Sequence, residues 1–274
     1  MLLAARGASV VVNDLGASTE GTGADAGPAS EVVDEITAAG GDALADPSDV
    51  ATSAGAQALV EAAIGAFGHL DIVINNAGII RWAGFPEVDE DNLARHLAVH
   101  TVGSFHVTRA AWPHMMERNY GRIVMTTSSG VFGLKNNTSY ATAKAGVIGL
   151  ARSASLAGAQ HGIAVNVIAP AAMTRMAGGA VLPDMTPEAV APMAAYLAHE
   201  SCPVNGEIYA AGAGRFARIF LATTEGYVHT GDVTIEDVAS HWADINDESG
   251  YSVPRALRDW SERFLAHLPS DSTG

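Results

Sequence analysis

The sequence predicts an α/β fold built on a doubly wound parallel sheet, and three observations carry this prediction. Short runs of β-branched residues alternate with longer segments in which apolar residues recur at helical spacing. The short runs are apolar at nearly every position, as expected of strands that are covered on both faces. The chain has 274 residues, of which 48% are hydrophobic, so it is long enough for one sizeable α/β domain.

The first part of the chain shows two alternations of strand and helix. Val10-Val11-Val12 is a β-branched run, and a polar, glycine-rich stretch follows it as far as Gly27. Apolar residues then recur at helical spacing until Gly40-Gly41, a sequence that ends helices. We therefore expect strands at 9–13 and 42–45 and helices at 32–39 and 54–67.

The middle of the chain continues this order with longer helices. Apolar runs predict strands at 70–75, 122–127 and 163–168, and a last strand at 207–210. Helical spacing predicts one long helix over 91–116 and another over 140–159. Strands separated by helices in this way are expected to lie parallel in a single sheet.

Residues 215–274 differ in composition and are expected to form a helical extension of a main domain at 1–214. Thr234 followed by Asp237 is typical of a capping box at the start of a helix. A second helix would carry an apolar stripe at Leu257, Trp260, Phe264 and Leu268. Pro269 is expected to end it. Two short helices cover such stripes poorly, so we expect the extension to pack on the main domain, with a partner subunit as the alternative.

The charge balance narrows the classes of partner. The formal net charge is −15, from 15 basic and 30 acidic residues. Such a surface repels phosphate backbones and anionic lipid, so we expect neither nucleic-acid nor membrane binding. No apolar run is long enough to span a bilayer, and we expect a cytoplasmic protein. The single cysteine, Cys202, excludes an intramolecular disulfide and is expected to be a buried bystander.

Three side chains have a spacing suited to proton transfer. Tyr140 and Lys144 are one helical turn apart, so both emerge on the same face of the predicted helix. A lysine ammonium favours the phenolate and lowers the tyrosine pKa from about 10 toward neutrality. Ser128 follows the preceding strand, where its hydroxyl can hold a substrate oxygen in line. This spacing also arises by chance in helices, so its surroundings decide what it means.

Those surroundings resemble the short-chain dehydrogenase/reductase family, whose fold is Rossmann-like. Asn75-Asn76-Ala77-Gly78 is similar to the family's signature after its fourth strand. Ser128 with Tyr140-Ala141-Thr142-Ala143-Lys144 is similar to the catalytic serine and tyrosine motif. Asn166-Val167-Ile168-Ala169-Pro170, with Thr174, is similar to the segment on the nicotinamide side.

A closer resemblance is to the 3-hydroxyacyl-CoA dehydrogenase region of peroxisomal multifunctional enzyme type 2 and its bacterial relatives. Residues 5–16 resemble the second strand of that group. Gly103-Ser104-Phe105, the run Val107 to Trp112, His199-Glu200-Ser201-Cys202 and the run Ala211 to Gly214 are also similar to it.

The resemblance implies a chemical role for each motif. The reaction would be hydride transfer between nicotinamide and a secondary alcohol or ketone. Tyr140 would be the acid–base residue, Ser128 would orient the substrate, and Lys144 would bind the nicotinamide ribose and lower the tyrosine pKa. Further cofactor contacts are implied at Asn76, Ala77, Gly78, Pro170 and Thr174.

The catalytic serine has two rivals. The family usually places it thirteen residues before the tyrosine, which is Thr127 here. Alignment on the strand at 122–125 selects Ser128 instead, with one residue deleted before Tyr140. We prefer Ser128 because the strand fixes the direction of the side chain. Ser129 is the fallback.

Asp14 predicts the choice of cofactor. A carboxylate at the end of the family's second strand accepts hydrogen bonds from the adenosine ribose and repels a 2′-phosphate. No basic residue follows between Leu15 and Gly21, so NAD is favoured over NADP. A solvated turn aspartate is the alternative reading. Asp49 and Val50 are expected beside the adenine.

His100 stands where the family often has an asparagine that relays protons to the lysine through water. We expect a histidine relay there, with a buried, hydrogen-bonded histidine as the alternative. His96, one turn earlier, completes a pair that could suggest a metal site. No third ligand has a suitable spacing, so we expect no metal.

The front of the family's pattern is missing. The family begins with a strand and a glycine-rich turn that binds the pyrophosphate, whereas here the resemblance starts in the following helix, at Met1–Gly7. The strand is central in the sheet, so two strand edges would lose backbone hydrogen bonds worth about 1 kcal/mol each. Gly16, Gly21 and Gly23 do not replace the turn, because they follow the second strand. We expect an incomplete chain or a start codon assigned too late.

The leading functional hypothesis is an NAD-dependent dehydrogenase of 3-hydroxyacyl-CoA esters. Reduction of 3-oxoacyl chains, or oxidation of a steroid or other cyclic alcohol, requires the same chemistry and stays open. A non-catalytic pseudoenzyme is the hypothesis from another class, because the pyrophosphate-binding front is absent. Small residues on the helix at 140–159 permit close helix approach, so we expect a homodimer or homotetramer.

Overall fold

The computed structural model describes residues 1–23, 25, 27–174 and 184–268. The chain divides into two compact units, Met1–Arg218 and Ile219–Gly274. The boundary lies slightly beyond the predicted one after Gly214, because the residues that follow Gly214 form a strand of the first unit's sheet.

The strands of the described residues match the predicted alternation, with one addition. They are β1 (Val10–Asn13), β2 (Ala43–Asp46), β3 (Ile72–Asn75), β4 (Gly121–Thr126), β5 (Ile163–Pro170), β6 (Ile208–Gly212) and β7 (Arg215–Ile219). The strand predicted at 207–210 is β6, but the expectation that it is the last strand was wrong, because β7 follows it. Ala213 and Gly214 both have positive φ and form the turn between β6 and β7. β7 is mostly exposed and contains two arginines, so it lacks the apolar run from which a strand is predicted.

The helices are α1 (Gly27–Ala38), α2 (Ser53–Phe67), α3 (Glu90–His96), α4 (Gly103–Arg118), α5 (Thr138–Gly158), α6 (Pro187–Leu197), α7 (Ile235–Ser240), α8 (Trp242–Ile245) and α9 (Leu257–Phe264). The single helix expected over 91–116 is instead α3 and α4 joined by a π-helix at Leu97–Val102. Helix α6 was not expected. Helix α9 ends at Phe264, and Pro269 lies outside the described residues.

The sheet of the first unit is split, as expected from the missing family strand. β1 pairs with β2 in parallel, and β3 to β7 form a separate sheet in sequence order. In the described part of the chain, no strand bridges β1 and β3. The valines of β1 are therefore only half-buried, although a run of three valines normally marks a strand covered on both sides.

The larger sheet is covered on both faces. Val124 of β4 and Ile168 of β5 belong to a core cluster with Val190 and Leu197 of α6. Successive strand residues point to opposite faces, so Met125 faces away from the α6 cluster that contains Val124. Helices α4 and α5 also contact strands of this sheet. Cys202 is buried in the α6 cluster, as expected of a bystander.

The second unit has little interior of its own. None of its described residues, 219–268, is buried. Its order comes from local contacts, among them an isolated bridge between Thr223 and Ser252 and the predicted capping box of Thr234 and Asp237. The packing of this extension on the main domain stays a prediction. Among the described residues, no helix is long and apolar enough to cross a membrane.

Candidate active site

The predicted site residues follow the carboxyl ends of the strands. Asp14 comes directly after β1, Asn76 after β3 and Ser128 two residues after β4, while Asp49 and Thr174 follow β2 and β5 at slightly greater distances. β1 is parallel to β2, and β3 to β6 are parallel to one another. In open parallel sheets, ligands bind at this edge.

Tyr140 and Ser128 lie next to each other. Tyr140 lies in the first turn of α5, where its backbone N–H donates to the side chain of the capping residue Asn137 at 3.1 Å. Ser128 caps a short 3-10 helix and accepts from the Gly130 N–H at 3.0 Å. A Cβ on Gly130 would lie 3.4 Å from the Ser128 hydroxyl oxygen and 3.6 Å from Cε1 of Tyr140, so the two side chains are neighbours. Two hydroxyls therefore meet at the end of β4.

The rivals of Ser128 have other surroundings. The Thr127 hydroxyl is buried and donates to the backbone carbonyl oxygen of Lys144 at 2.7 Å. Ser129 is exposed at the start of the 3-10 helix. Neither side chain is hydrogen-bonded to Tyr140 among the described contacts, which favours Ser128.

Lys144 is a buried amine beside the tyrosine ring. Its side chain is 4% exposed, and its Nζ donates to the Thr126 carbonyl oxygen at 2.8 Å. Nζ lies 5.8 Å from the centroid of the Tyr140 ring. Burial lowers the pKa of Lys144 to about 7, because the ammonium form loses its hydration.

The pKa of Tyr140 moves opposite to the expectation. Burial raises it above its usual value, and the hydrogen bond to Ser128 opposes that rise. Lys144 was expected to lower this pKa. A partly neutral amine exerts less of the field that stabilises a phenolate, and burial moves the pKa values of the two groups apart, downward for Lys144 and upward for Tyr140.

His96 and His100 stack on each other, and both rings meet the Tyr140 ring edge to face. Their ring centroids are 5.9 Å apart with planes 14° from parallel. Each ring is nearly perpendicular to the Tyr140 ring, at centroid distances of 6.2 Å for His96 and 5.4 Å for His100. Sequence reasoning weighed His96 only as half of a metal pair and missed this contact.

The relay expected at His100 has no visible continuation. Nε2 of His100 lies 2.9 Å from the Ile79 carbonyl oxygen, and Nδ1 is buried without a hydrogen-bond partner among the described residues. Burial, followed by the repulsion of Lys144, lowers the His100 pKa to about 2, so the ring stays neutral. The relay stays a prediction, and the alternative of a buried histidine matches these contacts.

The loop after β3 is held from both sides. Asn75 donates to the Thr108 hydroxyl at 3.3 Å, and the Thr126 hydroxyl donates to the side-chain oxygen of Asn76 at 3.3 Å. Ala77 is exposed. A Cβ at Gly78 would lie 2.6 Å from Cε1 of His100, so this position requires glycine.

The adenosine-side candidates are accessible. Asp14 is exposed, and one of its carboxylate oxygens accepts from the Gly16 N–H at 2.7 Å. Asp49 accepts from the Ala51 N–H at 2.9 Å, and the Val50 carbonyl lies close to Gly103 at the start of α4.

Asn13 is a residue of this region that sequence reasoning missed. Its amide donates to the carbonyl oxygens of Asp46, at 3.1 Å, and Ser48, at 2.9 Å. A third bond, of 3.0 Å, reaches the Asp46 carboxylate. Asn13 thereby ties the ends of β1 and β2 together just before Asp14. The feature of the sequence that could have pointed to Asn13 is its place as a polar residue at the end of an apolar strand.

The nicotinamide-side candidates lie at the end of β5. Pro170 is the last residue of β5, and the following Ala171 N–H donates to Ala211 at 2.8 Å. Thr174 is exposed. Residues 175–183, which follow Thr174, lie outside the described residues.

Metal ligands do not cluster in the part of the chain that the structure describes. The ring nitrogens of His96 already have hydrogen-bond partners. Nδ1 lies 2.8 Å from the Asn92 carbonyl oxygen, and Nε2 accepts from the Arg81 N–H at 3.3 Å.

Comparison with known sequences identifies a single family. The family model of the short chain dehydrogenases matches residues 3–182. A short-chain type dehydrogenase/reductase of Mycobacterium tuberculosis is 43% identical over 92% of this chain and 90% of its own length. Peroxisomal multifunctional enzyme type 2 of Drosophila melanogaster is 42% identical over 98% of this chain, which spans only 46% of that enzyme. A hydroxyacyl-CoA dehydrogenase of M. tuberculosis is 35% identical over 76% of this chain and 70% of its own length.

Solved structures agree with the sequence comparison. The full-length Drosophila multifunctional enzyme superposes with a TM-score of 0.78 and 33% identity, over 93% of this chain and 48% of that one. A 7α-hydroxysteroid dehydrogenase in complex with NADH and 7-oxo-glycochenodeoxycholic acid superposes with a TM-score of 0.69 and 29% identity, over 77% of this chain and 86% of that one.

Proposed function

The chain belongs to the short-chain dehydrogenase/reductase family and is an oxidoreductase, and we propose that it interconverts 3-hydroxyacyl-CoA and 3-oxoacyl-CoA esters with NAD as cofactor. The observation that carries this proposal is the proximity of the Tyr140 and Ser128 side chains at the end of β4, with the buried Lys144 one turn further along α5. A hydroxyl pair next to an amine of lowered pKa is suited to moving a proton on and off a substrate oxygen.

The residues at the site suit the two ends of a nicotinamide dinucleotide. Lys144 has one hydrogen bond through Nζ among the described contacts, to Thr126, so donor hydrogens remain for the hydroxyls of a ribose. Asp14 uses one carboxylate oxygen for Gly16, which leaves the other for the adenosine ribose. When bound, the nicotinamide ring supplies or accepts the hydride.

The choice of NAD over NADP rests on Asp14. Its exposed carboxylate would repel a 2′-phosphate, and no Lys or Arg lies between Leu15 and Gly21 to offset that repulsion. Asp49 and Val50 would flank the adenine, and Asn76, Ala77 and Gly78 would support the neighbouring ribose. Pro170 and Thr174 would contact the nicotinamide side.

The proton in this reaction would move through Tyr140. In ketone reduction, the Tyr140 hydroxyl donates its proton to the substrate oxygen, and in alcohol oxidation Tyr140 takes that proton back. Ser128 donates a hydrogen bond that holds the same oxygen in place. The raised pKa of Tyr140 keeps the phenol protonated, which suits the donor role in the reductive direction.

The acyl-CoA substrate class is supported by the chain's relatives. One relative is named a hydroxyacyl-CoA dehydrogenase, and the multifunctional enzyme matches this chain from end to end. A steroid alcohol is the second candidate, favoured by the superposition on the 7α-hydroxysteroid dehydrogenase. Both substrates present a secondary alcohol to Tyr140 and differ in the group that the pocket must accept.

The test is an assay of the purified full chain with 3-hydroxyacyl-CoA and hydroxysteroid substrates, each with NAD and with NADP. Formation of reduced nicotinamide with the thioester and NAD, and its loss in Tyr140→Phe, is the expected result. Turnover of the hydroxysteroid but not of the thioester would show that the substrate is a steroid alcohol and not an acyl-CoA ester.

A chain that does not bind the cofactor would favour the pseudoenzyme hypothesis. Ligand binding to the folded state raises its melting temperature, so a shift is expected with saturating NAD. If neither NAD nor NADP changes the melting temperature and no substrate turns over, the dehydrogenase proposal is wrong.

A further inference from the structure

The stacked histidines form a layer between Tyr140 and the loop that follows β3. His96 is completely buried and His100 is 1% exposed. The rings contact Tyr140 at nearly right angles on one side, and His100 packs directly against Gly78 of the loop. We propose that the His96–His100 pair is a positioning unit that sets the place of the Tyr140 ring relative to the Asn76–Gly78 loop. This inference rests on the proposed acid–base role of Tyr140.

Backbone hydrogen bonds fix the orientation of both rings. Nδ1 of His96 can only donate to the Asn92 carbonyl oxygen, which leaves Nε2 as the acceptor of the Arg81 N–H. Nε2 of His100 lies 2.9 Å from the Ile79 carbonyl oxygen and 3.3 Å from the Ile79 backbone nitrogen, so the ring bonds the Ile79 backbone in either tautomer. Both rings are thus tied to the loop after β3, at Ile79 and at Arg81, so neither can rotate without breaking a buried hydrogen bond.

The π-helix supplies the geometry that this layer needs. Leu97–Val102 connects α3 to α4 and carries His100, while His96 ends α3. The Ser104 hydroxyl donates to the His100 carbonyl oxygen at 2.6 Å, and the Thr101 hydroxyl donates to Ala143 of α5 at 2.8 Å. Because π-helical turns are rare and concentrate at functional sites, this segment fits a role in placing side chains.

Edge-to-face contacts with two rings restrict the tilt of a tyrosine more than aliphatic packing does, since they prefer defined angles. The Tyr140 hydroxyl must also meet Ser128 and the substrate oxygen at the same time. A displacement of about 1 Å in such an arrangement can cost about 100-fold in rate. The histidines would therefore act on turnover without touching substrate.

Two substitutions at one position separate ring contact from hydrogen bonding. His96→Phe keeps an aromatic ring against Tyr140 and loses both backbone hydrogen bonds. His96→Gln keeps a donor and an acceptor and loses the ring. We expect kcat to fall by about 10- to 100-fold in His96→Gln and by less than about 5-fold in His96→Phe, with the KM for NAD unchanged in both.

A merely structural role gives the opposite order. It would make His96→Phe the worse variant, because two buried backbone groups lose their partners. Equal kcat in the wild type and His96→Gln, or a lower kcat in His96→Phe than in His96→Gln, would overturn the proposal. Ser155→Ala is the control, since Ser155 is buried and donates to the Arg152 carbonyl oxygen far along α5, away from Tyr140 and the two histidines. We expect a lower melting temperature and nearly unchanged kcat in that variant.

A second readout does not depend on activity. The ultraviolet titration of tyrosinate in the wild type minus that in Tyr140→Phe isolates the ionisation of Tyr140. Burial keeps the Tyr140 pKa high, so loss of the covering ring in His96→Gln should lower it, while His96→Phe and Ser155→Ala should not. An unshifted titration in His96→Gln counts against the positioning role even if the chain proves to have no dehydrogenase activity. If no substrate turns over but the Tyr140 pKa shifts as expected, the proposed function is wrong and the positioning role stands.

Discussion

The hydroxyl of Thr127 donates a hydrogen bond to the backbone carbonyl oxygen of Lys144 across 2.7 Å, inside the protein. This bond fastens α5 to the end of β4 at the turn that carries Lys144. The Lys144 side chain returns to the same strand end, where Nζ donates to the Thr126 carbonyl oxygen. The turn of α5 that carries Lys144 is therefore held against the end of β4 by contacts with its backbone. Ser128, which follows Thr127 in the chain, interacts with the Tyr140 side chain.

Substitutions at Thr127 and Ser128 should have separable effects. Thr127→Val removes a buried hydrogen bond and leaves the Lys144 carbonyl oxygen with only its partner within α5, so we expect the free energy of unfolding to fall by about 1 kcal/mol. Ser128→Ala should lower kcat strongly and change the free energy of unfolding little, because Ser128 is only half-buried. Denaturant unfolding and steady-state kinetics on both variants check this. A larger loss of kcat in Thr127→Val would point to Thr127 as the functional hydroxyl.

Removal of the Tyr140 hydroxyl should abolish proton transfer. General acid–base catalysis raises reaction rates by about 100- to 10,000-fold, so kcat should fall by at least about 100-fold in Tyr140→Phe. The melting temperature and the affinity for NAD, measured by calorimetry, should stay close to wild type. Tyr196→Phe, on an exposed side chain, is the control and should leave kcat unchanged. Comparable turnover in wild type and Tyr140→Phe contradicts the acid–base assignment.

Lys144 should make the stability of the chain depend on pH. Its pKa is about 7 in the folded chain and near 10.5 when exposed, so the unfolded chain binds more protons between these values. Stability therefore rises as pH increases from about 7 toward 10, and at about 1.4 kcal/mol per pKa unit the gain is several kcal/mol. Above pH 10 the raised pKa of Tyr140 acts in the opposite direction, since only the unfolded tyrosine ionises readily there.

The Lys144→Met variant tests this dependence. It keeps the aliphatic stem and removes the titrating amine, so its free energy of unfolding should be nearly flat between pH 7 and 10 where that of the wild type rises. Lys135→Met, on an exposed side chain, should retain the wild-type slope. Parallel curves for Lys144→Met and the wild type would mean that Lys144 is solvated in the folded chain.

Asp14 should set the preference between the two cofactors. Asp14→Ser removes the carboxylate, so we expect the affinity for NADP to rise relative to NAD by about 10-fold or more. Dissociation constants for both cofactors, from fluorescence titration, give the ratio. Asp42→Ser, at an exposed aspartate before β2, serves as the control. An unchanged ratio in Asp14→Ser would assign Asp14 to a solvated turn.

The split in the sheet should be visible in hydrogen exchange. β1 and β3 each pair on one side, whereas β4 and β5 pair on both. Amide protons on an unpaired edge lack a protein acceptor, so segments Val10–Asn13 and Ile72–Asn75 should exchange faster than the segment Ile163–Pro170. Peptide-resolved exchange on the full chain measures this. Equal protection of β3 and β5 would show that another strand covers that edge in solution.

Local patterns predicted much of the molecule. The β-branched run before Asn13 and the apolar run before Asn75 were sufficient for their strands, because short runs rich in valine and isoleucine favour the extended backbone of a sheet. The tyrosine–lysine spacing placed both groups on one face of α5, since helix geometry is local. β7 and the π-helix escaped prediction, because the first has an exposed, charged sequence and the second differs from an α-helix by only one extra residue in a turn.

The sequence by itself determined the family, the order of the strands and the identity of Tyr140, Lys144 and Ser128 as candidates. Only the tertiary structure distinguished the surroundings of Thr127 from those of Ser128, because the Thr127 hydroxyl bonds the Lys144 backbone carbonyl, a contact between residues far apart in sequence. It also reversed the expected direction of the Tyr140 pKa and brought His96 into contact with the tyrosine. Spacing along the chain fixes which residues share a helix face, whereas desolvation and ring contacts depend on everything that packs around them.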